Sequence, residues 1–471
     1  MPEAKVRRDN HDMEQPIIFD LTEVQLASTG KLRFYGIVRC VHEIALHIAR
    51  IDPAVRFCVF SAGHQSFFEV PVRRDRDAVA FDVPLGVRQL RLRSVFPDRR
   101  PLRDAVAATA RAVVGGLNRR AWDRAGIDLP KIDLNGATYV SCARPKLIVD
   151  QIAALDRAST RIDLVPLIHD MIPLHDHFEH RSKSFPTNFV ADNIRILNRA
   201  ARVMTNSEFT RSELLRFSAS GYLPAISANY IHPVPLVHEC SDADPSPRIS
   251  PPAEPYLLTV GSLLGRKNLE AVLDAMEVLR SRGVAVPLLV IAGARRKRVE
   301  EHIGSEERKG VRDRVVFRHT PPQADLIALY RGAVATVVPS RMEGWGLPAG
   351  ESLWLGTPAI CADVPALHEV AGDLGLYFDP DDAAALANHV ARLMEDSEHV
   401  RVLRERIRGA RPRLRTWSDV ARDVLAILPS AAGGTRRHAE DCRAERGSRA
   451  SARCLPSATD AQGDAVGIGR G

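Results

Sequence analysis

Short apolar runs alternate with stretches of helical spacing along the second half of the chain. The run at Tyr256–Val260 is followed by an amphipathic stretch at 268–281, and the alternation continues toward the carboxyl end. Strands that alternate with helices are typical of a parallel, doubly wound sheet. We therefore predict further strands at 287–292, 315–318, 335–338, 358–361 and 375–378, and helices at 324–331, around Glu351, at 383–394 and at 399–408.

The first half shows the same pattern less regularly. An apolar run at 16–22 precedes a helix that begins near Gly36, in which apolar residues recur at helical spacing. On the opposite, polar face of this helix we expect Arg39, Glu43 and Arg50.

Polar residues follow two further strands that we predict in the first half. The strand at 164–168 leads into His169 and Asp170, and the strand at 201–205 leads into Asn206 and Ser207. Parallel sheets hold their ligands outside the carboxyl ends of the strands, so these positions are candidate ligand contacts.

The length of the chain favours two domains. A chain of 471 residues exceeds what one hydrophobic core usually organises. Residues 238–255 are rich in Pro, Ser and Asp and have no apolar period, which predicts a linker. The predicted class is α/β, with Rossmann-like domains at 1–237 and 256–412 facing a central cleft, a helix at 413–429, and a disordered tail at 430–471.

The charge balance gives no indication of nucleic acid as a partner, because 65 basic residues face 58 acidic ones and the net charge is only +7. Basic residues are concentrated between Arg88 and Arg124. Contact with an anionic membrane surface and an ordinary solvated face both account for such a stretch.

Cysteine usage and the amino terminus bear on the compartment. The seven cysteines are scattered and form no Cys-x-x-Cys pair, so we expect neither a disulfide framework nor a structural zinc site. The polar amino terminus resembles no secretory signal, and no apolar stretch approaches the roughly 20 residues of a membrane span. We therefore expect a cytoplasmic protein, with any membrane contact peripheral and at the inner face of the plasma membrane.

A glycine-containing basic loop follows the strand at Tyr256–Val260. Gly261 and Gly265 allow backbone to approach a ligand, and Arg266 and Lys267 add positive charge just before a helix begins. A diphosphate suits this arrangement, although an ordinary basic helix start has the same composition.

A second glycine-rich loop, residues 339–347, leads into the predicted helix that carries Glu351. It places Glu343 before the helix and Glu351 within it. Carboxylates bind vicinal sugar hydroxyls well because each oxygen accepts from a separate hydroxyl. The alternative is that both residues only complement the amino terminus of the helix.

These segments together resemble glycosyltransferase family four, the retaining enzymes of the GT-B fold. The resemblance rests on Glu-Gly-Trp-Gly-Leu-Pro-Ala-Gly-Glu at 343–351, the diphosphate loop at 260–268, the His loop at 165–173 and the helix start at 205–211. Thr416 and Trp417 are similar to the beginning of the family's C-terminal helix, which crosses back to the first domain. The resemblance covers most of the chain and implies a first domain on the acceptor side and a second that binds a nucleotide sugar.

The resemblance also implies roles for residues of the second domain. Glu351 would accept hydrogen bonds from the ribose, and Glu343 would contact hydroxyls of the transferred hexose. Lys267, with Arg266, would neutralise the diphosphate. Sugar and phosphate would be held by backbone amides of the second loop, those of Gly344, Trp345, Gly346 and Leu347.

Roles are implied for the first domain as well. His169 would reach the donor sugar from the opposite domain, Ser207 would bind the donor, and Gly36 would line the place where acceptor and phosphate meet. The family often has Arg directly after the first glycine of the diphosphate loop, where this chain has Ser262, so phosphate binding would depend more on Lys267. The resemblance implies no obligatory metal and no cofactor other than the nucleotide sugar itself.

The expected activity is hexosyl transfer with retention, from a nucleotide sugar to a glycan on a polyprenyl carrier. The amino-acid sequences of the two loops look most like those of bacterial mannosyltransferases of surface polysaccharide synthesis, which implies GDP-mannose as donor. A rhamnosyl or other hexosyl donor stays open. So do two other classes, a nucleotide-sugar isomerase and a non-catalytic module that binds sugar nucleotides.

Overall fold

A computed structural model describes residues 15–27, 36–76, 78–87, 90, 100–179, 182–240, 247–261 and 264–428. The strands within these ranges are β1 (Ile17–Asp20), β2 (Arg56–Ser61), β3 (Ser66–Glu69), β4 (Val72–Asp75), β5 (Ala78–Phe81), β6 (Ala137–Ser141), β7 (Ile162–Ile168), β8 (Val203–Thr205), β9 (Ile231–Pro233), β10 (Tyr256–Val260), β11 (Leu288–Gly293), β12 (Val315–His319), β13 (Ala335–Val338), β14 (Ala359–Ala362) and β15 (Leu376–Phe378). The predicted disordered tail, Ser262, and four basic residues of the 88–124 stretch (Arg88, Arg91, Arg93 and Arg99) lie outside the described residues.

The helices follow in the same ranges. They are α1 (Thr22–Ala27), α2 (Ile37–Ile51), α3 (Pro101–Arg124), α4 (Pro145–Arg157), α5 (Ile172–Phe178), α6 (Thr187–Arg199), α7 (Glu208–Ala219), α8 (Leu269–Ser281), α9 (Lys297–Ile303), α10 (Gln323–Gly332), α11 (Leu347–Trp354), α12 (Pro365–Ala371), α13 (Ala383–Glu395), α14 (Ser397–Gly409) and α15 (Trp417–Ile427).

The first sheet has seven strands in the order β3-β2-β1-β6-β7-β8-β9. All neighbours run parallel except β3, which returns antiparallel to β2. Phe19 of β1 lies beside Phe57 of β2 on one side and Val140 of β6 on the other. The order of connection reverses between β1 and β6, which opens a crevice at the carboxyl end of these strands.

The second sheet has six parallel strands in the order β12-β11-β10-β13-β14-β15. Leu258 of β10 pairs with Val290 of β11 and with Thr336 of β13, and the connection reverses between these outer neighbours. Strands β13 and β14 are buried along their whole length, as expected for a parallel sheet covered on both faces. The strands predicted for this half are confirmed, with ends that shift by one residue at most.

The predicted α/β class with two parallel sheets is confirmed. All strands of the first sheet precede residue 234 and all strands of the second follow residue 255. Exact domain boundaries stay a prediction. In the first half, the sequence pattern identified β1, β7, β8 and α2 but missed β2, β6, α3 and α4.

The last helix, α15, packs on α2 of the first half, so the predicted crossing helix is confirmed. It begins with a capping box in which the hydroxyl of Thr416 accepts from the backbone N–H of Asp419 while the Asp419 carboxylate accepts from that of Thr416. Trp417 follows and is fully buried. The contact between α15 and α2 therefore joins the carboxyl-terminal end of the described chain to the half that contains the first sheet.

One expectation for α2 is wrong. Arg39 does not lie on a solvent face but is buried, because α2 presents it to α11 of the second half, where it meets Glu351. No helix in the described part of the chain is both long and apolar enough to cross a bilayer.

Candidate functional site

A narrow crevice lies where the second sheet reverses, at the carboxyl ends of β10 and β13. Its lining includes Thr259 and Gly261 from the β10 side, and Ser340 and Glu343 from the β13 side, with Lys267 between them. Pro348, in the first turn of α11, completes this part of the wall. Reversal points of parallel sheets are the usual ligand sites of this architecture.

The basic loop before α8 is shaped by residues with positive φ. Gly261 has φ 110° and Gly265 has φ 71°, which glycine adopts without steric cost, and Asn268 adopts the left-handed conformation directly before the helix. The Asn268 side-chain amide donates to the carbonyl of Pro380 at 2.8 Å, which fixes the turn. The loop thereby directs Lys267 into the crevice.

Glu343 is buried and forms ion pairs with both cations of the basic loop. Lys267 Nζ donates to Glu343 Oε1, and Arg266 Nη1 lies 3.6 Å from Oε2. Burial by itself raises the pKa of Glu343, but the charges of Lys267 and Arg266 outweigh it, so the pKa is lowered and the carboxylate stays ionised. Two loops that follow different strands are thus joined by one carboxylate.

The loop that carries Glu343 is also in direct contact with the first sheet. A Cβ at Gly344 would overlap the carbonyl oxygen of His169 and lie 3.0 Å from Nδ2 of Asn206. Only glycine lets the backbone pass this closely. His169 and Asn206 follow β7 and β8, so the polar ends predicted for these strands do face the second sheet.

His169 has a defined tautomer. Its Nε2 lies 2.8 Å from the carbonyl oxygen of Cys142, so Nε2 carries a proton and donates it. Burial lowers the pKa of His169 below its ordinary value of 6.5, and the hydrogen bond to Cys142 offsets only part of this. The imidazole is therefore neutral near pH 7, and Nδ1 is an acceptor.

Asp170 extends the same edge. Burial raises its pKa, partly opposed by the backbone N–H of Ile172, which donates to its carboxylate at 3.1 Å. A Cβ at Gly344 would lie 3.1 Å from the Cβ of Asp170, so the carboxyl end of β7 is next to the loop that carries Glu343.

Glu351 has different surroundings from Glu343. One of its oxygens accepts from Arg39 Nη1 of α2, and the other accepts from the Tyr330 hydroxyl of α10 at 2.6 Å. Burial alone lowers the pKa of Arg39, but Glu351 outweighs this and the pKa is raised. The two carboxylates of this segment therefore have different partners, cations of the basic loop for Glu343 and Arg39 with Tyr330 for Glu351.

The amino terminus of α11 is held by packing against the connection between the sheets. Trp345 is buried and its Nε1 donates to the carbonyl of Val237 at 3.1 Å. Gly346 has φ 115°, and a Cβ there would meet Leu367. Leu347 then begins the helix. Glu343 and Pro348, on either side of these residues in sequence, line the crevice, while the indole ring of Trp345 serves as an anchor.

Two first-half residues assigned to the donor have other surroundings. Ser207 is fully buried, and its hydroxyl caps α7 by accepting from the backbone N–H of Thr210 at 2.9 Å. The Ser207 hydroxyl is therefore engaged in capping, and its assignment to the donor stays a prediction. Gly36, with φ 56°, is exposed and starts α2.

A further contact between the two halves lies at the start of α7. Glu369 of α12 accepts from the backbone N–H groups of Glu208 at 2.8 Å and Phe209 at 2.6 Å. Burial raises the pKa of Glu369, and these two hydrogen bonds partly counteract it. A helix amino terminus in one half is thus satisfied by a carboxylate from the other.

Sequence reasoning missed Arg39 and Tyr330 as neighbours of Glu351. Arg39 lies 312 positions from Glu351 in sequence, and its place in a helical polar stripe indicated solvent. The residues near Arg39 in the sequence gave no indication that its partner is a buried carboxylate. Gly36, directly before α2, was the one indication that this helix begins near the site.

Solved structures with a similar fold include a sucrose-phosphate synthase and a protein that was solved with UDP and glucose. Sucrose-phosphate synthase from Thermosynechococcus elongatus superposes with a TM-score of 0.57 at 18% identity, covering 88% of this chain and 98% of that one. Anabaena HepE, solved with UDP and glucose, gives a TM-score of 0.52 at 16% identity and covers 88% of this chain and 98% of its own. The chain therefore has the GT-B fold.

The similarity in sequence covers a smaller part of the chain than the similarity in fold. Residues 242–410 match the family Glycosyl transferases group 1. O-antigen chain mannosyltransferase B of Escherichia coli is 30% identical over 207 residues, which are 42% of this chain and 53% of that protein. O-antigen chain mannosyltransferase RfbU of Salmonella typhimurium is 32% identical over 131 residues, 27% of this chain and 35% of that protein. The matches thus span about half or less of these relatives' own length, and the similarity to the family Glycosyl transferases group 1 lies within residues 242–410.

The first prediction concerns the close contact at Gly344. Gly344→Ala places a Cβ against the His169 carbonyl, so we expect a loss of about 1–3 kcal/mol in the free energy of unfolding. Urea denaturation measures it. Gly409→Ala is the matched control, because a Cβ there meets nothing within 4 Å, and it should leave stability unchanged or raised. Equal stability of the two variants would show that the sheets do not approach as described.

The second prediction concerns the neutral His169. Its pKa is lowered on folding, so between that lowered value and 6.5 the unfolded chain binds more protons and stability falls as pH drops. Removing the imidazole in His169→Asn removes this contribution. The stability difference between wild type and variant should therefore shift in favour of the variant from pH 7.5 to pH 5.5, measured by urea denaturation at both pH values. A pH-independent difference would contradict the assignment.

Proposed function

We propose that this protein is a retaining glycosyltransferase that moves mannose from GDP-mannose to a lipid-linked glycan of a bacterial surface polysaccharide. The observation that carries the proposal is the Lys267, Arg266 and Glu343 cluster at the reversal point of the second sheet, with His169 of the first sheet directly opposite. The similarity to O-antigen mannosyltransferases supports mannose as the sugar.

The donor diphosphate occupies the basic loop. Lys267 and Arg266 supply two positive charges, and the glycine backbone of the loop permits close approach. Negative charge accumulates on the diphosphate as the bond to the sugar breaks, and cations held in place in advance stabilise that charge. Because two side chains provide this neutralisation, we propose that the transfer requires no metal ion.

Glu343 binds hydroxyls of the hexose. Its lowered pKa keeps it an acceptor, and Lys267 remains near enough to share its charge between this carboxylate and the phosphates. His169, neutral and with Nδ1 as an acceptor, contacts the same sugar from the first sheet. Glu351 accepts from the ribose hydroxyls through lone pairs that Arg39 and Tyr330 leave available.

Retention follows if the acceptor hydroxyl attacks from the face that the diphosphate leaves. The departing phosphate oxygen then takes the proton of the attacking hydroxyl, the new glycosidic bond forms, and the bond between the anomeric carbon and the phosphate oxygen breaks. This course needs no nucleophile from the protein. Lys267 and Arg266 stabilise the diphosphate, and His169 and Glu343 orient the sugar.

A donor panel tests the class and the sugar together. The full chain is incubated, with and without EDTA, with GDP-mannose, GDP-rhamnose, UDP-glucose and dTDP-rhamnose, and nucleotide release and sugar identity are measured. We expect slow release of GDP from GDP-mannose that EDTA does not inhibit, and mannose with the α configuration. Release of the nucleotide from another donor would identify that donor's sugar, in place of mannose, as the one transferred. A chemically changed sugar would indicate an isomerase, and binding without turnover would indicate a non-catalytic module.

The third prediction concerns the buried ion pair. Lys267→Ala and Glu343→Ala should each lower donor turnover on the order of a hundredfold or more, because each removes a charge that acts on the reacting group. The matched controls are Lys297→Ala and Glu301→Ala, which remove an exposed pair with Nζ and Oε1 3.4 Å apart in the same half. The controls should retain wild-type turnover. Turnover that survives in both site variants would refute the site.

We also propose that α3 contacts the membrane that carries the acceptor. Its exposed apolar side chains include Leu102, Val106 and Val113, with exposed fractions of 87%, 70% and 60%. With Leu117, these residues fall within roughly 60° of one another around the helix. Arg120 and Arg124 are exposed on the same stripe. Apolar side chains flanked by cations suit the headgroup region of an anionic leaflet.

The position of α3 supports a role on the acceptor side. Arg119 Nη1 donates to the carbonyl of Gly63 at 2.6 Å, and the buried Trp122 packs on Phe68 with ring centres 5.2 Å apart. Gly63 follows β2 at the same edge of the first sheet at which β7 leads to His169. A membrane bound at α3 would therefore lie at the edge of the sheet where transfer takes place, at the inner face of the plasma membrane.

The fourth prediction tests this contact with vesicles. Arg120→Glu with Arg124→Glu should weaken binding to phosphatidylglycerol vesicles by at least about tenfold, and Val106→Ser with Val113→Ser should weaken it as well. Cosedimentation measures both. Val402→Ser, which changes an exposed apolar residue of α14, is the control and should bind as wild type does.

Two outcomes would overturn the membrane contact. One is vesicle binding that is unchanged in both double variants. The other is concentration-dependent self-association that the variants abolish without any vesicle binding in the wild type, which would make the stripe an interface between two copies of the chain.

A further inference from the structure

An ion pair between Arg39 and Glu351 joins the two sheets. Arg39 belongs to the first turns of α2 and Glu351 to α11, and their side chains are only 8% and 5% exposed. Arg39 Nη2 also donates to the carbonyl of Glu239 at 3.3 Å, and its guanidinium carbon lies 5.8 Å from the centre of the Trp417 ring. The arginine is therefore fixed by three separate parts of the chain.

The second carboxylate oxygen of Glu351 is fixed as well. The Tyr330 hydroxyl donates to Oε2 at 2.6 Å, and Tyr330 is itself fully buried. A carboxylate has about four lone-pair positions, so two hydrogen-bond partners define its plane and leave two positions for a ligand. A carboxylate fixed in this way can accept further hydrogen bonds only from a direction that its two partners define.

Stability alone gives little reason for such a pair. Burying two charges costs desolvation energy that their attraction roughly repays, and apolar residues of similar volume are often as stabilising. The surroundings of Arg39 and Glu351 are apolar and aromatic enough for that alternative, since Trp417 and Tyr330 are both fully buried there. A charged pair at this place therefore indicates a requirement for the carboxylate itself.

We propose that Arg39 is a positioning residue for nucleoside recognition, which orients Glu351 toward the vicinal ribose hydroxyls of the donor. Because Arg39 lies on α2 of the first half and Glu351 on α11 of the second, both orienting hydrogen bonds exist together only when the two halves are in contact. Selection for a ribose is thereby coupled to closure of the cleft. This inference rests on the proposed function, since it concerns the same donor.

The probe is the preference for a ribonucleotide over its 2′-deoxy counterpart. Dissociation constants of GDP and 2′-deoxy-GDP are measured by calorimetry for wild type, Arg39→Met, Arg39→Lys, Tyr330→Phe and Glu351→Gln, with UDP and 2′-deoxy-UDP if UDP binds more tightly. A hydrogen bond to a charged group distinguishes the two nucleotides about tenfold or more. We expect wild type to show this preference.

Arg39→Met should bring the two dissociation constants within about twofold of each other, and Arg39→Lys should restore part of the preference because it keeps the charge without the planar geometry. Tyr330→Phe should reduce the preference through loss of the other orienting hydrogen bond. A general loss of structure would weaken both nucleotides equally, so the ratio separates positioning from stability. Arg56→Met, which breaks an ion pair with Glu69 on the first sheet, is the control and should keep the wild-type ratio.

A wild-type ratio that persists in Arg39→Lys and Tyr330→Phe would overturn the inference, even if Arg39→Met does not fold. Wild type that binds GDP and 2′-deoxy-GDP equally would also overturn it while leaving donor binding intact. Wild type that binds no nucleoside diphosphate would overturn the proposed function together with this inference.

Discussion

The site depends on one close approach, the passage of the Gly344 backbone against the carbonyl oxygen of His169. This contact sets the distance between the carboxyl edges of two parallel sheets. Glu343, one residue earlier, is thereby brought opposite His169 and Asp170, while Trp345, one residue later, is anchored on Val237. Any side chain at position 344 would move both neighbours, so the geometry of the cleft is a consequence of a missing Cβ.

The charges around the crevice are arranged in advance of a ligand. Glu343 holds Lys267 and Arg266 beside the reversal point of the second sheet, and these cations in turn keep its pKa low. An arriving anion finds cations that are already ordered, so it does not bear the full entropy of fixing two long side chains. His169, neutral through burial, adds no competing charge from the opposite sheet.

The sequence was most informative where apolar periodicity is uninterrupted. Strands β10 and β13 lie as predicted, because buried parallel strands read as continuous apolar runs. Strand β6 was missed because Thr138 and Ser141 interrupt its apolar character; Ser141 is buried and donates to Asp20 at 2.8 Å. When polar residues are assigned to solvent-exposed loops, a strand that contains a buried polar network of this kind is mistaken for a loop.

The site residues also differ in how well the sequence predicted their neighbours. Residues 266, 267 and 343 meet in space, as expected if they contact one donor in the way that the resemblance to glycosyltransferase family four implied. Arg39 was misjudged because a local pattern cannot reveal a partner hundreds of positions away. Ser207, which we predicted to bind the donor, caps α7, and a local pattern does not distinguish a helix cap from a binding hydroxyl. Such distinctions require knowledge of which elements become neighbours.

The capping of α7 by Glu369 has a consequence for recombination between related enzymes. The first turn of α7 is completed by a carboxylate that the chain supplies from the other half. In a chimaera that takes its two halves from different parents, Ser207 would still cap α7, but the backbone N–H groups of Glu208 and Phe209 would lose their acceptor unless the other parent also has a carboxylate at position 369. The two halves are therefore separate in topology, but crossovers between them are constrained by residue pairs that must be inherited together, among them Arg39 with Glu351.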